Sequence, residues 1–136
     1  MEEITATRFG IILKTEKFVE CTEFYRDVLS LKLWYHKPDL FCFHFGADSY
    51  LMVERGGVTS GLRKGAETNP VVLRFDVPDV DLSADRIAGL GIDVEVLRFE
   101  WGTIAIFADP DGNPCEFKNA DDVYFDLPKR VSWRPG

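Results

Sequence analysis

The 136-residue chain holds two histidines, His36 and His44, and three cysteines, Cys21, Cys42 and Cys115. So little imidazole leaves few ligands for a histidine-rich metal centre. The cysteines are odd in number and lack CxxC spacing, which argues against a disulfide framework and for buried free thiols in a reducing compartment. No apolar run reaches the roughly 18–20 residues that span a bilayer. The opening stretch, "MEEITATRFG", lacks the basic-then-apolar order of a secretion signal, so the expected location is the cytoplasm. Basic residues are outnumbered, 16 Lys and Arg against 23 Asp and Glu, for a formal net charge of −7. That balance repels phosphate backbones and favours cationic or neutral ligands, so neither nucleic acid nor membrane is an expected partner. A Ser-His-Asp set, a Cys-His pair, a Walker loop and a dinucleotide fingerprint are also missing.

Apolar and aromatic residues are plentiful. Hydrophobic residues make up 46% of the chain, with 11 Phe, 4 Tyr and 3 Trp, enough for one folded domain with a real core. In "TRFGIILKT", Phe9, Ile11 and Leu13 fall on one face of a strand and Arg8, Gly10, Ile12 and Lys14 on the other. "EKFVECTEFYRDVLSL" then spaces Phe18, Cys21, Phe24, Tyr25, Val28 and Leu29 as one amphipathic helix. Three short strands, "LKLWYH", "LFCFHF" and "SYLMVE", follow between turn residues.

After a glycine-rich stretch from Arg55 the same order returns. Strand "VVLRFDV", helix "DLSADRIAGL", strands "IDVEVLRF" and "GTIAIFA", turn "DPDGN" and strand "PCEFK" repeat the first half, with Thr15 and Val77 62 positions apart. The expected organisation is module one at 7–54, a linker at 55–69, module two at 70–119 and a C-terminal tail at 120–136. A module of about 60 residues has a marginal core alone, so the two are expected to share one fold. The linker reads as a flexible connection, with a lid over the site as the other reading.

The paired strand-helix-strand-strand-strand modules, "EFYRDVLSLKL" and "FADPDGNPCEF" resemble the vicinal oxygen chelate superfamily over roughly residues 7–119. That superfamily includes glyoxalases, bleomycin-resistance proteins, fosfomycin-resistance enzymes and extradiol dioxygenases. The resemblance implies an α+β fold of two βαβββ modules with curved mixed sheets around a cavity. The motifs themselves read as structural: Phe24 and Tyr25 supply apolar surface, Arg26 and Asp27 meet water, Asp109 and Asp111 accept backbone N–H bonds, and Gly112 and Asn113 tolerate positive φ.

The resemblance also implies where metal ligands stand in members that use a metal: Gly10 and Val72 on first strands, Met52 and Glu116 on last strands. Glycine and valine bring no donor, a thioether suits hard ions poorly, and one carboxylate does not hold a catalytic metal. Glu54, two residues from Met52, is a further candidate. His44 in "LFCFHFG" reads as a core residue rather than a ligand, and neither histidine sits at a family ligand position.

Alternation lines the expected cavity with Arg8, Gly10, Ile12, Lys14, Tyr50, Met52, Glu54, Val72, Arg74, Asp76, Pro114, Glu116 and Lys118. Arg8, Tyr50, Met52, Arg74, Trp101 and Glu116 are the expected ligand-binding residues, with no catalytic residue assigned. Arg8, Lys14 and Lys118 read as strand-end charges in water. Arg74, amid apolar neighbours, reads as a buried guanidinium needing a carboxylate, Glu116 first and Asp76 second. Trp101 is expected either to stack on a planar ligand or to cap the core.

The expected function is binding of a small organic molecule, in the manner of bleomycin-resistance proteins, with no cofactor and no metal. The alternative is a lyase, epimerase or dioxygenase with one divalent metal ion and Glu116 as ligand or base. A third reading is an accessory interaction module with a closed cavity. A symmetric homodimer is expected, because modules leave open sheet edges and the tail carries Val123, Tyr124, Phe125, Leu127, Val131 and Trp133.

Overall fold

The computed structural model describes residues 4–57, 64–65 and 67–121. The chain divides into two compact units, Met1–Lys64 with Asp109–Asn113, and Gly65–Ala108 with Pro114–Gly136. The tail residues 122–136, and 58–63 and 66 of the expected linker, lie outside the described residues.

In unit one, β1 (Phe9–Thr15) leads through α1 (Phe18–Glu23) and a π-helical turn (Phe24–Val28) to β2 (Leu33–Lys37), β3 (Leu40–His44) and β4 (Ser49–Arg55). The sheet order is β1-β4-β3-β2, with β1 parallel to β4 and the other pairs antiparallel. Strand alternation sends Phe43, Leu51 and Val53 to one side, where they are buried with Phe18, Cys21, Phe24 and Tyr25 from the helical segment. Burying each large side chain of this kind contributes about 1.5–3 kcal/mol. Arg55, expected to open the linker, instead closes β4; its guanidinium lies 4.8 Å from the Phe18 ring centroid and bonds Asp39 at 2.9 Å.

The single helix expected over 16–31 is shorter and changes form. Its Leu29 N–H reaches back five residues to the Phe24 carbonyl at 3.0 Å, and Ser30 ends it with φ 59°. Phe24 and Tyr25, adjacent in sequence, are both buried and meet edge-on at 5.1 Å. Arg26 and Asp27 face water as expected and bond each other at 2.8 and 2.9 Å.

The turn Asp109–Asn113 belongs to unit one and is joined to that helical segment. Asp109 Oδ1 accepts the backbone N–H of Asp111 and of Asn113, both at 2.9 Å, and Oδ2 accepts the Tyr25 hydroxyl and Asn113 Nδ2, both at 2.7 Å. One carboxylate thus satisfies four donors. Asp111 does not share that role: its Oδ2 receives Lys64 Nζ at 3.3 Å, and its Oδ1 has no partner among the described residues. Of the two expected turn residues, only Gly112 takes a positive φ, 82°.

Unit two repeats the plan with β5 (Leu73–Val77), α2 (Val80–Gly89), β6 (Glu95–Phe99), β7 (Gly102–Ala108) and β8 (Pro114–Asn119), in the order β5-β8-β7-β6. Asp79 caps α2, its Oδ1 accepting the Leu82 N–H at 3.1 Å. Gly91, at φ 88°, closes it: Ile92 N–H bonds the Ile87 carbonyl at 3.0 Å and Gly91 N–H bonds that of Ala88. Val80, Ala84 and Ile87, spaced at four and three residues, are its buried stripe. Each unit therefore offers one sheet face to its helix and leaves the other free of that helix.

Candidate functional site

The free face of unit one follows from its register. Gly10 pairs with Tyr50, Ile12 with Met52 and Lys14 with Glu54, while Met52 and Tyr50 pair in turn with Cys42 and His44. A bulge at Trp34 shifts β2 so that Leu33 pairs with Phe43 and Tyr35 with Cys42. Trp34 comes to lie against His44, ring centroids 5.2 Å apart and planes within 17°, with Tyr50 edge-on at 6.0 Å. The Arg8 guanidinium sits 4.4 Å from the Trp34 centroid. His44 is therefore an exposed member of an aromatic wall, not the core residue its apolar neighbours suggested. His36 lies elsewhere, stacked on Phe41 at 5.1 Å.

Tyr50 makes the sharpest contact. A Cβ on Gly10 would stand 2.0 Å from the Tyr50 ring, so the ring occupies the space a side chain at residue 10 would need. Burial pushes the Tyr35 hydroxyl and the Cys42 thiol above their ordinary ranges. Both stay protonated at neutral pH. Deeper in unit one, burial and then the Asp109 carboxylate push the Cys21 thiol up to about 12. All three cysteines are buried and free.

In unit two the free face carries Arg74 and Asp76 beside Glu116 and Lys118, with Ile106 and Ile104 on the next strand. Arg74 Nε donates to Glu116 Oε1, which makes Glu116 the partner of Arg74. The guanidinium is not buried, however: the Arg74 side chain is 39% exposed and that of Glu116 12%. The long arginine stem extends past its neighbours along the sheet, so apolar flanking residues did not imply burial. Lys118 reverses the other way. Expected in water, it is fully buried, with Nζ 3.3 Å from the Asn119 carbonyl. Asp76 stands opposite Lys118 rather than serving Arg74. Trp101 stacks on Phe99 with planes within 4° and centroids 5.1 Å apart, and both rings remain exposed.

The four positions at which the resemblance implies metal ligands can now be tested. Gly10 is covered by Tyr50; Met52 is buried between Ile12 and Cys42; Val72 lies outside β5, which begins one residue later; and Glu116 is engaged by Arg74. Glu54, the further candidate, stands 3.8 Å from Lys14 Nζ. Among the described residues no group of three or more His, Cys, Asp or Glu side chains could hold a metal ion. This donor set does not fit a catalytic divalent ion. A pocket of about 200 Å³ lies on the other side of the sheet of unit one, lined by Phe18, Val19, Thr22, Glu23, Arg26 and Phe41. None of its lining residues was anticipated as a ligand contact.

The wall of Trp34, Tyr35 and His44 was missed because alternation alone cannot register a bulge. The signal available was the run Trp34-Tyr35-His36, too aromatic for an idle edge strand.

Among curated proteins none matches the sequence. Solved structures do. A lactoylglutathione lyase from Agrobacterium tumefaciens superposes with a TM-score of 0.65 at 20% identity, over 86% of this chain and 96% of that one. An antibiotic-binding protein from Streptomyces sp. CB03234 gives 0.66 at 23% identity, over 88% and 98%. A glyoxalase/bleomycin resistance protein from the same organism gives 0.63 at 22%, over 82% and 99%. At such identities the likeness speaks for the fold alone. No helix among the described residues is long and apolar enough to cross a membrane. The profile of the glyoxalase-like domain matches residues 10–117, most of the chain, and with the two four-stranded mixed sheets this makes the protein a member of the glyoxalase-like domain family, in the vicinal oxygen chelate superfamily.

Proposed function

We propose that this chain binds a small, planar organic molecule on the free face of the unit-one sheet and does so without a catalytic metal. The observation that carries the reading is the Tyr50 ring seated over Gly10, which turns a family ligand position into part of an aromatic wall. Trp34, 39% exposed, and Ile12, 50% exposed, offer apolar surface beside it, and Arg8 supplies charge. Few polar groups among apolar ones is the usual composition of a small-molecule site. A structural relative is described as antibiotic-binding, which is consistent with this reading.

We take the protein as cytoplasmic and as a homodimer. Unit one has β1 and β2 as sheet edges and unit two has β5 and β6; β2 is exposed along its whole length.

A melting-temperature screen against planar organic compounds tests the reading, since a ligand of the native state raises apparent stability by mass action. Compounds that raise the melting temperature of the wild type and not of Trp34→Ala support it. A screen in which no compound shifts the wild type would remove its basis.

A further inference from the structure

Among the described residues, only Arg74 and Glu116 pair a strand-borne arginine with a carboxylate at an implied ligand position, and the equivalent register of unit one holds Ile12 and Met52. The pair is thus a local addition to unit two, not a requirement of the shared fold. Its geometry is one-sided. Glu116, with a side chain 12% exposed, takes Nε of a guanidinium that is itself 39% exposed. Among the described residues Nη1 and Nη2 have no acceptor, so that edge of the fork is unoccupied by protein. The apolar Ile106 flanks Glu116 on the next strand.

A guanidinium fixed at Nε and open at its two Nη groups presents parallel N–H donors, the arrangement that matches a carboxylate bidentately. Glu116 orders the long side chain in advance, which lowers the entropy lost when a ligand arrives. We propose that Arg74, oriented by Glu116, receives the carboxylate of an organic acid, so that the cation beside Glu116 is supplied by the chain itself. This rests on the small-molecule reading above and extends it to the free face of unit two, whose ligand is a planar molecule bearing a carboxylate. The acidic balance of the chain, −7 overall, gives no long-range help to an anion. Recognition comes from the contact, against a long-range repulsion that added salt screens.

Titration of the full chain with benzoate, 1-naphthoate and 2-naphthoate, each beside its neutral amide, followed by calorimetry and by the Arg74 Nε–H resonance, tests the proposal. At least one acid is expected to bind about tenfold more tightly than its amide and to move that resonance. In the double variant Arg74→Gln/Glu116→Gln, which leaves no unpaired charge, the preference for acid over amide is expected to vanish while the amide binds as before; its melting curve verifies folding. Equal binding of acids and amides by the wild type would overturn the carboxylate anchor and leave the small-molecule reading standing. An acid preference that survives in the double variant would overturn it likewise. No binding of any of the six compounds at about millimolar concentration would overturn both.

Discussion

Arg74 Nε donates to Glu116 Oε1 across the parallel β5–β8 pair, at the register where unit one sets Ile12 beside Met52. Equivalent places in two copies of one supersecondary plan thus carry opposite chemistries. Arg74→Met leaves the less exposed partner, Glu116, without its counter-charge, and a loss of about 1–2 kcal/mol is expected. The partial exposure of Arg74 holds the figure below that of a fully buried pair. Arg74→Met/Glu116→Met should recover most of the loss, since Ile12 and Met52 already fill this register with apolar side chains. Urea denaturation of the two variants and the wild type measures the difference.

Gly10 and Tyr50 are coupled by space. Gly10→Ala places a Cβ 2.0 Å from the Tyr50 ring, and the ring has to move away. The ring is the far end of a flexible, half-buried side chain that can swing aside, so a loss of no more than about 1 kcal/mol is expected. In Gly10→Ala/Tyr50→Ala the two changes should cost less than their sum, because the clash disappears with the ring. Additive losses would show that the ring does not rest on residue 10.

Tyr25 and Asp109, 84 residues apart, join the two sequence motifs through a 2.7 Å hydrogen bond to a buried carboxylate. Tyr25→Phe keeps the ring and removes only the donor. The expected cost is about 1.5–3 kcal/mol, the range for a hydrogen bond to a charged group, read from thermal or urea melting.

The Cys21 thiol is pushed from 9.0 to about 12, chiefly by burial and next by Asp109. The folded state therefore holds its proton where the unfolded chain releases it. The stabilisation tied to this proton is complete below pH 9 and is lost as the pH rises from there through about 12. Stability measured across that window should fall more steeply for the wild type than for Cys21→Ala. At pH 8 the native thiol should resist alkylation until the protein is unfolded.

What the sequence disclosed and what it hid divide along physical lines. The alternation in "TRFGIILKT", the helix stripe of Val80, Ala84 and Ile87, and the turn at Gly112 are local, so their period and residue chemistry could be read directly. Arg74 with Glu116 was foreseeable because a strand arginine amid apolar residues calls for a carboxylate, although the exposure of Arg74 was not. Tyr50 over Gly10, Tyr25 on Asp109 and Trp34 against His44 depend on strand register, a π turn and a bulge. None of these leaves a periodic trace. Lys118 was misjudged because a strand-end lysine is usually solvated, and here it is fully buried.

The proposal of metal-free binding meets its most direct test in elemental analysis of the purified, desalted protein. A catalytic site of the superfamily's kind retains about one Ni, Zn, Fe or Mn ion per chain. With Tyr50 over Gly10 and Arg74 on Glu116, the expected content is well below about a tenth of an ion per chain, unchanged in Glu116→Gln. About one ion per chain, lost in Glu116→Gln, would contradict the proposal.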